Sequence, residues 1–254
     1  MSGRLAGKKA IVTGASNGIG LAIARAFVRE GADLLVTAYR HVEGAQQLAA
    51  EAAQQGRRVE WLQLACQDED AVERLFAAAD STLGAADILV NNVGVVIKTS
   101  FLEHSREDYE RSFQVNSRFP FFATQRFART NIQRQAGGSV INIASVSAFK
   151  AISRLSSYQC SKAALAMLGK SAALELAPHG IRVNTLSPGL TATNGNAHQW
   201  RDQPALWRER SKELPLGRTG MPEDMAGAAV FLASEESSWM TGGHIVIDGG
   251  DSVI

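Results

Sequence analysis

Ile141-Asn142-Ile143-Ala144-Ser145, then a short loop, then Tyr158-Gln159-Cys160-Ser161-Lys162 opening a run that reaches Ala177: this stretch decides how the chain is read. Its first half is apolar and β-branched and ends on a serine. That is the pattern of a buried parallel strand delivering a hydroxyl to the edge of a sheet. Its second half is helical in spacing, and Tyr158 and Lys162, at i and i+4, put a phenol and an ammonium on one face. A free phenol loses its proton near pKa ~10, too high for proton transfer at neutral pH, and a neighbouring cation favours the phenolate. Hydroxyl, phenol and ammonium together have the layout of an acid/base site.

Strand and helix alternate outward from this stretch in both directions. An apolar run over 8–14 closes on glycine, and 19–30 follows helical spacing with Gly31 as its stop. Further strands are expected at 34–37, 59–64, 87–92, 140–144, 182–186 and 244–247. Helices are expected at 42–55, 70–83, 106–135, 157–177 and 223–233. Pro120 places a kink or break near Asn116 inside the longest of these. With no linker, repeat or low-complexity segment, the pattern predicts one doubly wound α/β domain over 1–254, a parallel sheet with helices on both faces. Such sheets bind ligands beyond the C-terminal ends of their strands, so the loops after strands one, four, five and six should share a crevice.

The loop after the first strand reads Thr13-Gly14-Ala15-Ser16-Asn17-Gly18-Ile19-Gly20. Its glycines permit a tight turn and close backbone approach, and a helix N-terminus offers free N–H groups to a pyrophosphate. To this the chain adds Asn91-Asn92-Val93-Gly94, Asn116, Ser145, Tyr158-x-x-x-Lys162, Ser187-Pro188-Gly189 and a tail with Gly242-Gly243-His244-Ile245-Val246-Ile247-Asp248-Gly249-Gly250. With these motifs in this order, the sequence resembles the classical short-chain dehydrogenase/reductases over essentially its whole length.

The resemblance implies a Rossmann-type sheet of about seven strands and nicotinamide-dependent interconversion of a secondary alcohol and its ketone. It implies Tyr158 as general acid/base, Lys162 as the residue that lowers the tyrosine pKa and binds the nicotinamide ribose, and Ser145 on the substrate oxygen. Asn116 would hold a water linking Lys162 to solvent. The cofactor would be held by Gly14, Ser16, Asn17, Gly18, Ile19 and Gly20 at the phosphates, by Tyr39 and Arg40 near the adenosine ribose, and by Asn92 and Gly94 within an adenosine wall running from Asn91. Pro188, Gly189, Thr191 and Thr193 would hold it at the nicotinamide, together with Tyr158 and Lys162. Ser156, Ser157 and Ser161 read instead as capping or helix-surface residues.

The chain departs from the family pattern after the second strand, where Ala38-Tyr39-Arg40 stands in place of an acidic residue. No carboxylate there repels a 2′-phosphate and Arg40 can pair with one, which favours NADP over NAD. After the third strand, Ala65 replaces a usual Asp, leaving Gln67 or Asp68 as substitutes. Residues 194–213 fall where the family places a variable substrate lid. There Trp200 and Trp207, seven apart, are expected on one helical face, beside polar Asn194, Asn196, His198 and Gln199. The expected substrate is a polyol, a sugar or another hydroxy compound. Reduction of 3-oxoacyl chains on acyl carrier protein is the alternative; where that activity usually has basic docking residues the chain offers Ala136 and His179, although Arg129 and Arg134 lie close. A catalytically silent dinucleotide-binding regulator is the alternative of another class.

Composition excludes other roles. With 45% hydrophobic and 20% charged residues over 254 positions and a net charge of +1, the chain has no basic tract for nucleic acid. Two cysteines, Cys66 and Cys160, are too few for a disulfide framework or a metal-ligand set. No signal-peptide core at 1–9 and no apolar run of ~20 residues lead to a cytoplasmic expectation. A homotetramer or homodimer is what the resemblance implies.

Overall fold

A computed structural model describes residues 3–254; Met1 and Ser2, the start of the stretch read as leaderless, lie outside the described residues. All seven expected strands form within two residues of their predicted bounds. They are β1 (Lys9–Val12), β2 (Asp33–Ala38), β3 (Val59–Gln63), β4 (Ile88–Asn91), β5 (Gly138–Ile143), β6 (Ile181–Pro188) and β7 (His244–Ile247). They make one sheet in the order β3-β2-β1-β4-β5-β6-β7, every pair parallel. The order reverses between β1 and β4, and that switch opens the crevice.

Alternation along each strand sends side chains to opposite faces, and both faces are covered. Ala10, Val12, Ile88, Val90, Ile141 and Ile143 enter one core with Ile23 and Phe27 of α1 (Gly18–Arg29), Leu48 of α2 (Glu43–Gln54) and Val230 of α9 (Ala226–Ala233). Ile11, Leu89 and Val140 enter the other, with Leu75 and Phe76 of α3 (Ala71–Leu83) and Phe119 and Phe127 of α5 (Phe119–Gln133).

The expected helix over 106–135 is α4 (Arg106–Phe113), a π-helical turn over Gln114–Arg118, and then α5. The Phe119 N–H reaches back five residues to the Gln114 carbonyl. Pro120 has no N–H to give the Asn116 carbonyl four residues behind it, so the regular ladder must fail at this point. Pro120 itself sits in the first turn of α5, where a missing N–H costs nothing. The helix carrying Tyr158 is α6 (Ser156–Leu176).

The expectation for the tryptophans needs correction. Trp200 ends the short helix α7 (Ala197–Trp200), and Trp207 lies in α8 (Pro204–Glu213), which starts at a proline after a break. A proline at 204 ends the earlier helical register, so the seven-residue spacing does not put the two rings on one face. Trp207 is buried, whereas Trp200 is half-buried with its indole N–H donating to the Thr193 carbonyl at 2.9 Å.

Candidate active site

Ser145 follows β5 directly, and its hydroxyl accepts the Ser147 N–H at 3.1 Å, which fixes the first turn of the loop. One helical turn separates Tyr158 from Lys162 on α6, and the Lys162 ammonium lies 5.9 Å from the phenol ring centroid. Lys162 is buried, and its Nζ donates to the Ile143 carbonyl at 2.7 Å. Burial without a carboxylate partner lowers its pKa to about 8. Burial also raises the Tyr158 pKa, with a hydrogen bond from Ser145 acting in the opposite sense. For the protein alone, then, desolvation rather than the Lys162 charge dominates the phenol.

Asn116 is buried in the π-helical turn and reaches into the same site. Its Oδ1 accepts the Val95 N–H at 2.8 Å, while Nδ2 donates to the Val95 carbonyl at 3.0 Å and to the Ser161 hydroxyl at 2.9 Å. Both amide hydrogens are spent, so the expected water link can use this side chain only as an acceptor. Gly94 completes the cluster: a Cβ there would lie 3.2 Å from Lys162 Nζ and 3.4 Å from Asn116 Oδ1.

The serines of α6 depart from expectation. Ser157 and Ser161 are buried rather than surface residues. Ser157 shares a 2.9 Å hydroxyl pair with Ser112 of α4, and Ser161 donates to the Tyr158 carbonyl at 2.7 Å while accepting from Asn116. The signal was available: Ser161 stands at i+3 from Tyr158 and one before Lys162, with buried Leu165 continuing the same face.

The loop after β1 is shaped for an anion. Gly14 and Gly18 take φ of +66° and +55°, in the left-handed region that other residues avoid. A Cβ on Gly14 would meet the Val93 methyl at 2.8 Å, and one on Gly20 would overlap the Asn92 amide and the Gly14 carbonyl. Asn17 stands at the N-cap of α1 without capping it, Ser16 Oγ accepts only a long 3.4 Å bond from Asn17, and no acidic residue occupies the first turn. Free helix N–H groups beside a glycine cradle fit a pyrophosphate. Ile19 packs into the core below.

Thr13, at the start of this loop, is its anchor. Its hydroxyl donates to Val90 O at 3.1 Å and accepts the N–H groups of Asn92 and Val93 at 3.0 and 3.2 Å. Asn92 donates to the carbonyls of Thr13 and Gly14 at 2.8 and 3.0 Å, so its amide braces the loop. Asn91, expected along the adenosine wall, is buried, with its amide turned to Thr124 and Asn142.

At the far end of the crevice, Tyr39 and Arg40 are exposed beyond β2, the guanidinium stacked 5.3 Å from its neighbour's ring. Ala38 is buried and offers no charge. Asp68 is bound to Arg74 at 3.3 Å, whereas Gln67 reaches the Tyr39 hydroxyl at 3.4 Å. At the other end, Gly189 packs against Asp248, where a Cβ would approach to 2.6 Å, next to Pro188 at the close of β6. The Thr191 hydroxyl is spent on the Gly189 carbonyl at 3.0 Å. Thr193 is held by Asn196, whose Oδ1 accepts its N–H at 2.8 Å, and its side chain lies within 3.5 Å of where a Gly18 Cβ would stand.

Comparison with known proteins gives concordant results. A family model described as enoyl-(acyl carrier protein) reductase matches residues 14–252. An L-rhamnose 1-dehydrogenase (NAD(P)(+)) from Azotobacter vinelandii is 39% identical over 96% of this chain and 96% of its own. A 2-dehydro-3-deoxy-D-gluconate 5-dehydrogenase from Dickeya dadantii is 36% identical, covering 97% and 96%. Among solved structures, a 3-oxoacyl (acyl-carrier-protein) reductase from Agrobacterium tumefaciens C58 with NADP bound superposes with a TM-score of 0.91 at 32% identity, covering 97% and 95%.

Proposed function

The chain belongs to the classical short-chain dehydrogenase/reductase family, an NAD(P)-dependent oxidoreductase acting between a secondary alcohol and its ketone, and from that premise we propose that its substrate is a polyol, sugar or related hydroxy compound. The nicotinamide, when bound, supplies or receives the hydride. Tyr158 delivers the proton to the substrate oxygen in reduction and removes it in oxidation. Ser145, already beside the phenol, holds that oxygen. Lys162 would hold the cofactor ribose and, through its charge, ease loss of the phenol proton. Asn116 positions the wall at Val95. Burial raises the Tyr158 pKa, which favours the phenol, the form that donates to a carbonyl.

The observation that carries this reading is a chain of contacts, Ser145 at the Tyr158 phenol, Lys162 over the Tyr158 ring, and Lys162 with Asn116 at Gly94, beside a glycine cradle and an uncapped helix. Arg40, with no acidic residue at 38, supports NADP as the preferred form. The acyl-carrier alternative loses its docking argument. Ala136 and His179 precede β5 and β6 and so lie at the sheet edge opposite the one that carries Ser145. We further propose that residues 194–213 act as the substrate lid, that the enzyme is cytoplasmic, and that it is a homotetramer. Exposed Tyr109, Phe121, Phe122 and Leu174 on α4, α5 and α6 support helix pairing between copies.

The test is Tyr158→Phe, assayed for NADPH oxidation over a panel of sugar-derived ketones. General acid/base catalysis contributes about 10²–10⁴-fold, so turnover should fall by that much while NADPH binding persists. Near-normal turnover would overturn the assignment. Absence of turnover by the unaltered enzyme across a broad panel would favour the silent regulator.

A further inference from the structure

A cavity of about 140 Å³ lies between the lid and the segment that follows β4, and Lys98, His198, Gln199, Gln203, Trp207 and Arg210 line it. No carboxylate does. Glu209, one residue from Arg210, is engaged with Lys212 at 2.8 Å. Arg210 is held in place from two sides: its Nη1 donates to Gln199 Oε1 at 2.9 Å, and its guanidinium carbon lies 5.8 Å from the centre of the buried Trp207 ring. One donor is thereby used, and the rest of the planar fork remains for a ligand. Lys98 faces the same space from the opposite wall, and among the described residues neither cation has an acidic partner.

Two unpaired cations, one of them a pre-oriented guanidinium, are the donor set that recognises an anionic oxygen group through charge-assisted bonds. A neutral polyol would instead call for matched donors and acceptors, and the Gln199 oxygen is already taken. Two of the cavity's lining residues stand close along the chain to residues of the reacting centre and the lid. Lys98 is four residues beyond Gly94, hence within ~14 Å along even a fully extended chain, and Gly94 abuts Lys162 and Asn116. Gln199 adjoins Trp200, whose indole holds the Thr193 carbonyl at the cofactor end of the lid.

We propose that Lys98 and Arg210 form an anion subsite, so that the physiological substrate is a hydroxy compound carrying a carboxylate or phosphate at the end remote from the reacting carbon. The inference rests on the reading of Tyr158 as the proton donor to that carbon.

Steady-state kinetics on three matched probes, gluconate, glucitol and glucitol 6-phosphate, with NADP separates the possibilities. The unaltered enzyme should prefer one anionic probe to glucitol by at least tenfold in kcat/KM, and which one it prefers identifies carboxylate or phosphate. Lys98→Gln and Arg210→Gln should each raise KM for that probe about 10- to 100-fold, the scale of a lost charge-assisted bond, and should lower kcat/KM for glucitol far less. Arg210→Lys, which keeps the charge and loses the fork, should fall between. Turnover of glucitol as efficient as that of both anions, or parallel losses on all three probes, would overturn the subsite. Thermal-shift titration of the NADP complex with the same probes reads binding without turnover. An anion that stabilises the unaltered protein but not the double variant supports the subsite even if the oxidoreductase reading fails, and stabilisation by none of the probes removes it.

Discussion

Ser161→Ala tests whether the site depends on a residue that touches neither substrate nor cofactor. In the folded protein the Ser161 hydroxyl accepts from Asn116 Nδ2 at 2.9 Å in a fully buried setting and donates to the Tyr158 carbonyl at 2.7 Å. The variant leaves one Asn116 N–H without a partner where water does not reach, and such an orphaned donor costs about 1–3 kcal/mol. For a chain of this length each kcal/mol corresponds to roughly 2–4 °C in Tm. Urea denaturation at fixed protein concentration should therefore show a lower midpoint with an unchanged slope, and kcat should fall because Asn116 also fixes the wall at Val95. An exposed serine would give a change within about 0.5 kcal/mol. A loss that small, with kcat intact, would refute the reasoning and return Ser161 to the surface role its sequence suggested.

Three further perturbations address other parts of the molecule. Lys162 has a folded pKa of about 8 against 10.5 in the unfolded chain, so between those values the unfolded state binds more protons and stability rises with pH. Below about pH 8 the full burial penalty, on the order of 3 kcal/mol, is present. The stability of the unaltered protein minus that of Lys162→Met should thus increase from pH 7.5 to pH 10, and a flat difference would rule out a buried, neutralising lysine. Arg40→Gln should raise KM for NADPH about tenfold or more while leaving NADH nearly unaffected; equal effects on both would remove the 2′-phosphate role. Gly20→Ala forces a methyl against the Asn92 amide and the Gly14 carbonyl, so it should cost about 1–3 kcal/mol. It should also weaken NADPH binding in a fluorescence titration, and unchanged binding would mean that the loop does not need this close approach.

The central strands were legible because they are short apolar runs between turn residues, and the edge strand β3 because its apolar residues are interspersed with polar ones. The π-helical turn was half legible. Pro120 announced a failure of the ladder near Asn116, but whether a helix breaks or widens depends on what its side chains can reach, and here the Asn116 amide found both polar groups of Val95. Asn116, Ser145, Tyr158 and Lys162 stood out as candidates from spacing and resemblance, whereas Ser161 and Thr13 did not. Their hydroxyls act on backbone and amide groups distant in sequence, and a serine or threonine shows no such preference in one dimension. The tryptophans misled because a spacing of seven is informative only while one helix continues. For the phenol, the neighbouring charge is visible in sequence and the desolvation that acts against it is not.

The Asn116 amide supplies to Val95 what a flanking strand would supply, an acceptor for its N–H and a donor for its carbonyl. The chain beyond β4 therefore leaves the sheet without losing its lateral support, which passes from a strand to a helix. That exchange makes the wall between Gly94 and Lys98 part of the α4–α5 body rather than part of the sheet. The same body carries Tyr109, Phe121 and Phe122 on its outer surface. The two Asn116 hydrogen bonds therefore join that wall to the same helices that present these rings.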